Sequence, residues 1–174
     1  MNLTVLYLAF FILLDTGLYH SSCDAFLFHA TQKAAVRKIM QKGFSKAKMK
    51  STARFGKGVY LAPKKKTSRI ESKTSDAVLR FNESKYLKRN TINMKDPTPA
   101  KIRKQINYKD LRGTVKNNVI GPKLGKKMGA AAAKKEKAIK YRSVKAKDES
   151  CVFIPAGVYK KHPRIITIKN KKDF

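Results

Sequence analysis

The chain has 174 residues, enough for one ordinary domain with a real core and too few for two comfortable ones. It carries 41 Lys+Arg against 11 Asp+Glu, a formal net charge of +30, and no Lys or Arg precedes Lys33. Its two cysteines, Cys23 and Cys151, exclude a disulfide scaffold.

So large a positive surplus attracts nucleic acid, anionic membrane or other acidic partners. A merely solvated Lys-rich surface is the competing reading, because lysine dominates and no Arg-rich cluster occurs.

The N-terminus opens with an apolar run from Leu3 to Leu14, followed by small residues. That length suits a secretory signal peptide over residues 1–25 and is too short to span a bilayer. Small residues allow cleavage after Cys23 or after Ala25, and either cut leaves Cys151 as the only cysteine, whereas a cut one residue earlier keeps both and permits one disulfide. A retained anchor is the alternative. After processing, no stable membrane anchor is expected in residues 26–174, which are read as one domain.

Residues 26–29 of "FLFHAT" read as a short strand, with Leu27 and His29 on one face. "TQKAAVRKIMQKG" reads as a helix with Thr31 as cap, an apolar stripe of Ala35, Val36, Ile39 and Met40, and Gly43 at its end. "SKAKMKSTAR" and "PKKKTSR" read as loops around "FGKGVYLA", and "SDAVLRF" as a short helix. "DPTPAKIRKQI" predicts a helix capped by Thr98 with Pro99 in its first turn. The Gly/Asn/Lys-rich stretch after it resists assignment, and "KMGAAAAKKEK" is helical on propensity. "AIKYRSV", "SCVFI" and "RIITIK" are strand candidates. One strand and helix, an irregular centre and clustered strands predict an α+β fold.

Three separated pieces, "LFHAT" at 27–31, "FGKGVYLA" at 55–62 and "DESCVFIPAGV" at 148–158, together resemble the ADP-ribosyltransferase superfamily. The branch in question is that of poly(ADP-ribose) polymerase catalytic domains and diphtheria-type toxins. It is known for a histidine ending the first strand, a tyrosine after a Gly-rich turn and a glutamate opening a late strand. The matching positions are His29, Tyr60 and Glu149. The likeness covers roughly 26–71 and 138–169. It implies a split β-sheet core with flanking helices, and NAD as substrate.

Cleaving the nicotinamide–ribose bond passes through an oxocarbenium-like state, so a fixed carboxylate and tight positioning are needed. The resemblance gives Glu149 that carboxylate role, His29 a hydrogen bond to ribose, and Tyr60 a face for nicotinamide. Ala30, Thr31, Gly58 and Ser68 join His29 and Tyr60 in holding the dinucleotide; Ala30 and Ser68 address the nicotinamide amide. Gly56 and Gly58 are expected to let the backbone turn sharply. Asp148, beside Glu149, is the residue a one-position frame slip would select instead. His162 reads as a surface residue without a role. Glu71 stands where many relatives carry a second tyrosine that completes the nicotinamide sandwich.

The expectation is therefore a secreted, monomeric toxin or effector that acts inside a target cell. It would move single ADP-ribose units from NAD to an acidic macromolecule such as nucleic acid, without a metal. NAD hydrolysis with water as acceptor is a close variant. The alternative is a non-enzymatic, basic nucleic-acid- or membrane-binding protein on the same fold.

Overall fold

A computed structural model of the chain describes residues 26–72, 75–107, 114–146 and 149–168. The proposed signal peptide, Cys23 and Asp148 lie outside them. Among the described residues, no helix is long and apolar enough to cross a membrane.

The architecture is α+β, built on two sheets. The first has the order β1-β3-β9, from β1 (Phe26–Thr31), β3 (Ala77–Glu83) and β9 (Ile166–Ile168), all antiparallel. The second has the order β2-β8-β7-β4, from β2 (Gly58–Leu61), β4 (Thr91–Met94), β7 (Ala138–Arg142) and β8 (Ser150–Pro155). Its β4–β7 pair is parallel and the others are antiparallel. A single bridge joins the sheets: Phe28 N–H donates to the Ala62 carbonyl at 2.7 Å, and Ala62 N–H returns the bond at 2.9 Å.

β8 explains why two cores form. Its residues are apolar without alternation, the pattern of a strand covered on both faces. Val152 and Ile154 join Leu27, Val59, Leu61, Leu79 and Phe81 between the sheets. Cys151 and Phe153 face the other way, into a core with Phe55, Ile102, Leu124, Met128, Ile139 and Tyr141. That second core is roofed by α4 (Pro99–Gln105) and α5 (Pro122–Lys134), which pack on each other, with α5 also on β7 and β8.

Several local expectations hold. Thr98 accepts the Lys101 N–H at the start of α4, Gly43 closes α1 (Lys33–Lys42) with φ +71, and all three late strands form. Others are overturned. Thr31 does not cap α1: it ends β1, paired with Ala77, while Gln32 takes the cap position and the Asp76 carboxylate accepts Lys33 N–H at 2.5 Å. "SDAVLRF" is not a helix but supplies most of β3, because Leu79 and Phe81 alternate into the core and both edges of the strand find partners. "PKKKTSR" is mostly helix: α2 (Lys65–Glu71) buries Thr67 and Ser68 instead of an apolar stripe. The unassigned centre contains a hairpin, β5 (Val115–Lys116) and β6 (Val119–Ile120), turned by Asn117 and Asn118 in left-handed backbone. The short helices α3 (Lys85–Arg89) and α6 (Ala156–Lys161), and strand β4, complete the fold.

α5 lies unusually close to the segment before β2. A Cβ on Gly129 would sit 2.0 Å from the Phe55 carbonyl oxygen, and one on Gly125 would sit 2.5 Å from that of Arg54. Backbone cannot yield as a flexible side-chain tip can. Gly129→Ala should therefore destabilise the protein by about 1–3 kcal/mol, overcoming the ~1 kcal/mol that alanine gains in a helix. Gly157→Ala in α6, where the added methyl meets nothing within 4 Å, should stabilise by up to about 1 kcal/mol. Urea unfolding midpoints of the two variants check this pair; equal shifts would deny the close packing.

Candidate active site

The bridge between the sheets sets His29 beside Tyr60, each one or two residues from a bridged position. His29 Nδ1 lies 2.9 Å from the Tyr60 carbonyl oxygen. A carbonyl only accepts, so Nδ1 carries the proton and Nε2 keeps its lone pair. The half-buried ring also meets Phe44 edge-on at 4.8 Å. Burial lowers the pKa of His29 below its usual 6.5, and the bond to Tyr60 only partly opposes this. The imidazole is therefore a neutral acceptor at neutral pH.

Backbone groups alternate edges along a strand. The N–H and C=O of Phe28 face Ala62, so those of Ala30 face the same edge, one step beyond the bridge. In the antiparallel register of that bridge Ala30 comes opposite Tyr60, whose carbonyl takes the His29 side chain, and the described backbone pairings include none between Ala30 and Tyr60. Thr31, next along, is half-buried and paired with β3.

Tyr60 is held by its hydroxyl, which accepts from Phe55 N–H and donates to the Gly56 carbonyl, both at 3.0 Å. Gly56, at φ +86, makes that turn possible. Its ring rests on Phe153 at 4.8 Å and approaches Tyr141 edge-on at 6.5 Å. Burial pushes the phenol up to about 12, so it stays protonated. Gly58 serves protein packing: the space for its Cβ is filled by the Phe153 ring and the Ile154 carbonyl.

Glu149 immediately precedes β8. It lies on the strand next to Tyr60, but Phe153 is the residue paired with Tyr60, four steps away. That is about 13 Å along the strand at the usual rise per residue. The cation that meets Glu149 is Lys64, whose ammonium pairs with Oε1. Lys64, itself exposed, therefore belongs beside Glu149, whereas no ion pair is described for exposed Lys65 and Lys66 on α2.

α2 connects the histidine side to the carboxylate side. It packs on β1, and Ser68 is buried in its middle. At its end, Glu71 accepts a hydrogen bond from the Ser143 hydroxyl. Fully buried Ser143 also receives Ala146 N–H at 2.8 Å and donates its own N–H to the Glu149 carbonyl at 2.9 Å. Lys145 binds the Ile70 and Glu71 carbonyls that close the helix, at 3.2 and 2.7 Å. The β7–β8 connection thus straps both ends of α2. Glu71, where a second aromatic ring was expected to be missing, is a fixed carboxylate held by the same strap that leads to Glu149.

Both carboxylates act on Cys151. Burial first, then Glu71 and, more weakly, Glu149 push its thiol up to about 12, so this cysteine is a neutral core residue and no nucleophile. Arg54 lies over Tyr141 at 5.3 Å and donates to the Arg142 carbonyl at 3.2 Å, placing a positive charge beside the same wall. Ser143 and Arg54 carried no signal in the sequence, since their partners are distant along the chain.

A separate open depression of about 320 Å³ is lined by Ser84, Tyr86, Lys161, His162 and Arg164. It shares no residue with the His29–Glu149 region. His162 is not an idle surface residue: half-buried, it packs on Tyr86 at 4.3 Å and reaches Glu136 at 3.4 Å. Glu136 also holds Lys161, so two of that depression's side chains already have an acidic partner.

No family model, curated protein or solved structure matches this chain.

The protonation of His29 has a measurable consequence. Above about pH 6.5 the imidazole is neutral in both folded and unfolded chains. Below it, the unfolded chain takes up a proton that the native site resists, so stability falls as pH drops from 6.5 toward the lowered native value. Unfolding free energies measured from pH 8 to 5 should show this loss, and His29→Gln should remove that share of the slope. An unchanged slope would mean the ring is already charged, or solvated, in the fold.

Proposed function

We propose that the protein is an ADP-ribosyltransferase of the split-sheet type, moving single ADP-ribose units from NAD to a macromolecular acceptor. The observation that carries this reading is the Nδ1–H bond from His29 to the Tyr60 carbonyl. It unites the first two sequence motifs and leaves Nε2 as a fixed acceptor for a ribose hydroxyl. The N–H and C=O of buried Ala30 face the gap between β1 and β2 next to it, a donor and acceptor spaced for a carboxamide such as that of nicotinamide.

On this reading the half-buried Tyr60 ring borders the nicotinamide, and Ser68 on α2 closes the pocket beside Ala30. Glu149 lies farther along β8, where the ribose and the incoming acceptor meet. As the C1′–N bond breaks, nicotinamide leaves with the bonding pair and the sugar becomes cationic. The Glu149 carboxylate, fixed in a partly dry site, stabilises that charge more than water would. The acceptor then bonds to C1′ and releases its proton. Lys64 partners Glu149 before substrate arrives, and an NAD phosphate offers the ammonium an alternative partner.

Secretion and action in another cell rest on the apolar N-terminal segment and the positive charge. The non-enzymatic reading has its own support: Lys64 neutralises the key carboxylate, and Glu71 replaces a stacking ring.

Release of free nicotinamide from NAD separates the two. Wild-type protein should turn NAD over, and Glu149→Gln should reduce both NAD cleavage and transfer by about 100-fold or more while the fold is kept. No nicotinamide release by folded wild-type protein, with any acceptor supplied, would favour the binding protein. If Asp148→Asn rather than Glu149→Gln is the damaging change, the carboxylate has been misassigned by one residue.

A further inference from the structure

We propose that the exposed face formed by α4 and α5 docks the phosphate backbone of double-stranded nucleic acid, without regard to base sequence. This surface stands apart from the NAD reading and does not depend on it.

The charge is not spread evenly once the chain is folded. Among the described residues, each acidic side chain lies elsewhere: Glu71 with Ser143, Glu149 with Lys64, Asp76 at α1, Glu83 on β3, Asp96 with Arg142, and Glu136 with Lys161. The described residues from Pro97 to Lys135 contain no Asp or Glu at all. Asp110, the one acidic residue of that stretch, lies outside the described residues.

Helix geometry turns this into a stripe. At 3.6 residues per turn, Lys123, Lys126, Ala130 and Lys134 fall within an arc of about 80°. All four are exposed. Leu124, Gly125, Met128, Gly129 and Ala132, all buried, occupy the opposite side. From Lys123 to Lys134 the stripe runs about 16 Å, long enough to follow several phosphates of a duplex. The central Ala130 presents only a methyl group, so a backbone strand can approach the helix closely there.

α4 extends the surface sideways with exposed Lys104 and Arg103. The two helices are fixed together: Lys135 Nζ donates to the Lys104 and Gln105 carbonyls at 3.4 and 3.3 Å and to Gln105 Oε1 at 3.1 Å. A rigid array of cations is what an evenly charged backbone recognises.

The partner class follows from what this face lacks. Neither helix contains an aromatic residue, so there is no platform on which single-stranded bases would stack. The exposed large apolar side chains among the described residues are Ile70 and Val144, neither of them on this face. Without an apolar wedge the face does not insert into a lipid surface. Side chains that fork onto base edges are also scarce, so phosphates rather than sequence are read.

The test measures binding of the full chain to labelled RNA and DNA duplexes by fluorescence anisotropy across a salt series. One variant carries Lys123→Gln, Lys126→Gln and Lys134→Gln. A control carries Arg37→Gln, Lys38→Gln and Lys42→Gln on α1, the same charge change at exposed sites. The α5 variant should make the slope of log affinity against log salt shallower by about 2 to 3, and the control by less than about 1. Two duplexes of equal length and different sequence should bind within about twofold. Equal losses in both variants would show diffuse attraction and overturn the proposal. So would strong sequence preference, or an α5 variant that loses binding to phosphatidylserine vesicles while keeping its affinity for duplex.

Discussion

Two hydrogen bonds between Phe28 and Ala62 are the constraint on which the site depends. They are the only described backbone pairing between the sheet of β1 and the sheet of β2. Without that bridge, the side of β1 carrying His29 and the strand carrying Tyr60 would be free to slide past each other. With it, the histidine proton has one address, the Tyr60 carbonyl, and the ring presents one nitrogen outward. A one-residue slip of β1 would turn His29 to the other face of its sheet, and one of β2 would move the Tyr60 carbonyl out of its reach.

The two cores back this bridge from opposite sides. Leu27, Leu61, Leu79 and Ile154 fill the space between the sheets, while Phe153 and Phe55 fill the space under α5. Tyr60 sits at the edge of the second core, partly buried against it. Its hydroxyl reads the Phe55–Gly56 turn, and that turn lies on the glycine face of α5. The other face of α5 carries the lysine stripe. One helix thus serves as a positioning element for the tyrosine and as a cationic surface, a division that follows from its 3.6-residue period.

What the sequence disclosed was local. The strand at Phe26, the Thr98 cap and the Gly43 terminus depend on neighbours within a few residues, and all of them form. What it concealed depended on distant partners. β3 carries a pattern too short to distinguish a strand from a helix until β1 and β9 claim its two edges. β4 exists because β7, far along the chain, pairs with it in parallel. α2 looked like a basic loop because its buried positions are Thr67 and Ser68, which carry no hydrophobic period. At the site, His29, Tyr60 and Glu149 were visible as motifs. The Ser143–Glu71 contact, spanning 72 residues, and the Lys64–Glu149 pair, spanning 85, were not. The wider separation of Tyr60 from Glu149 also emerged only from strand register.

In the proposed function, His29, Ala30 and Glu149 address the two ends of a nicotinamide riboside. A crystal structure of the protein with a hydrolysis-resistant NAD analogue measures this directly. The expected complex has the carboxamide on the Ala30 N–H and C=O, a ribose hydroxyl within hydrogen-bond reach of His29 Nε2, and Glu149 facing the same sugar. An analogue seated away from β1 and β8, or absent at saturating concentration from an intact fold, would contradict it.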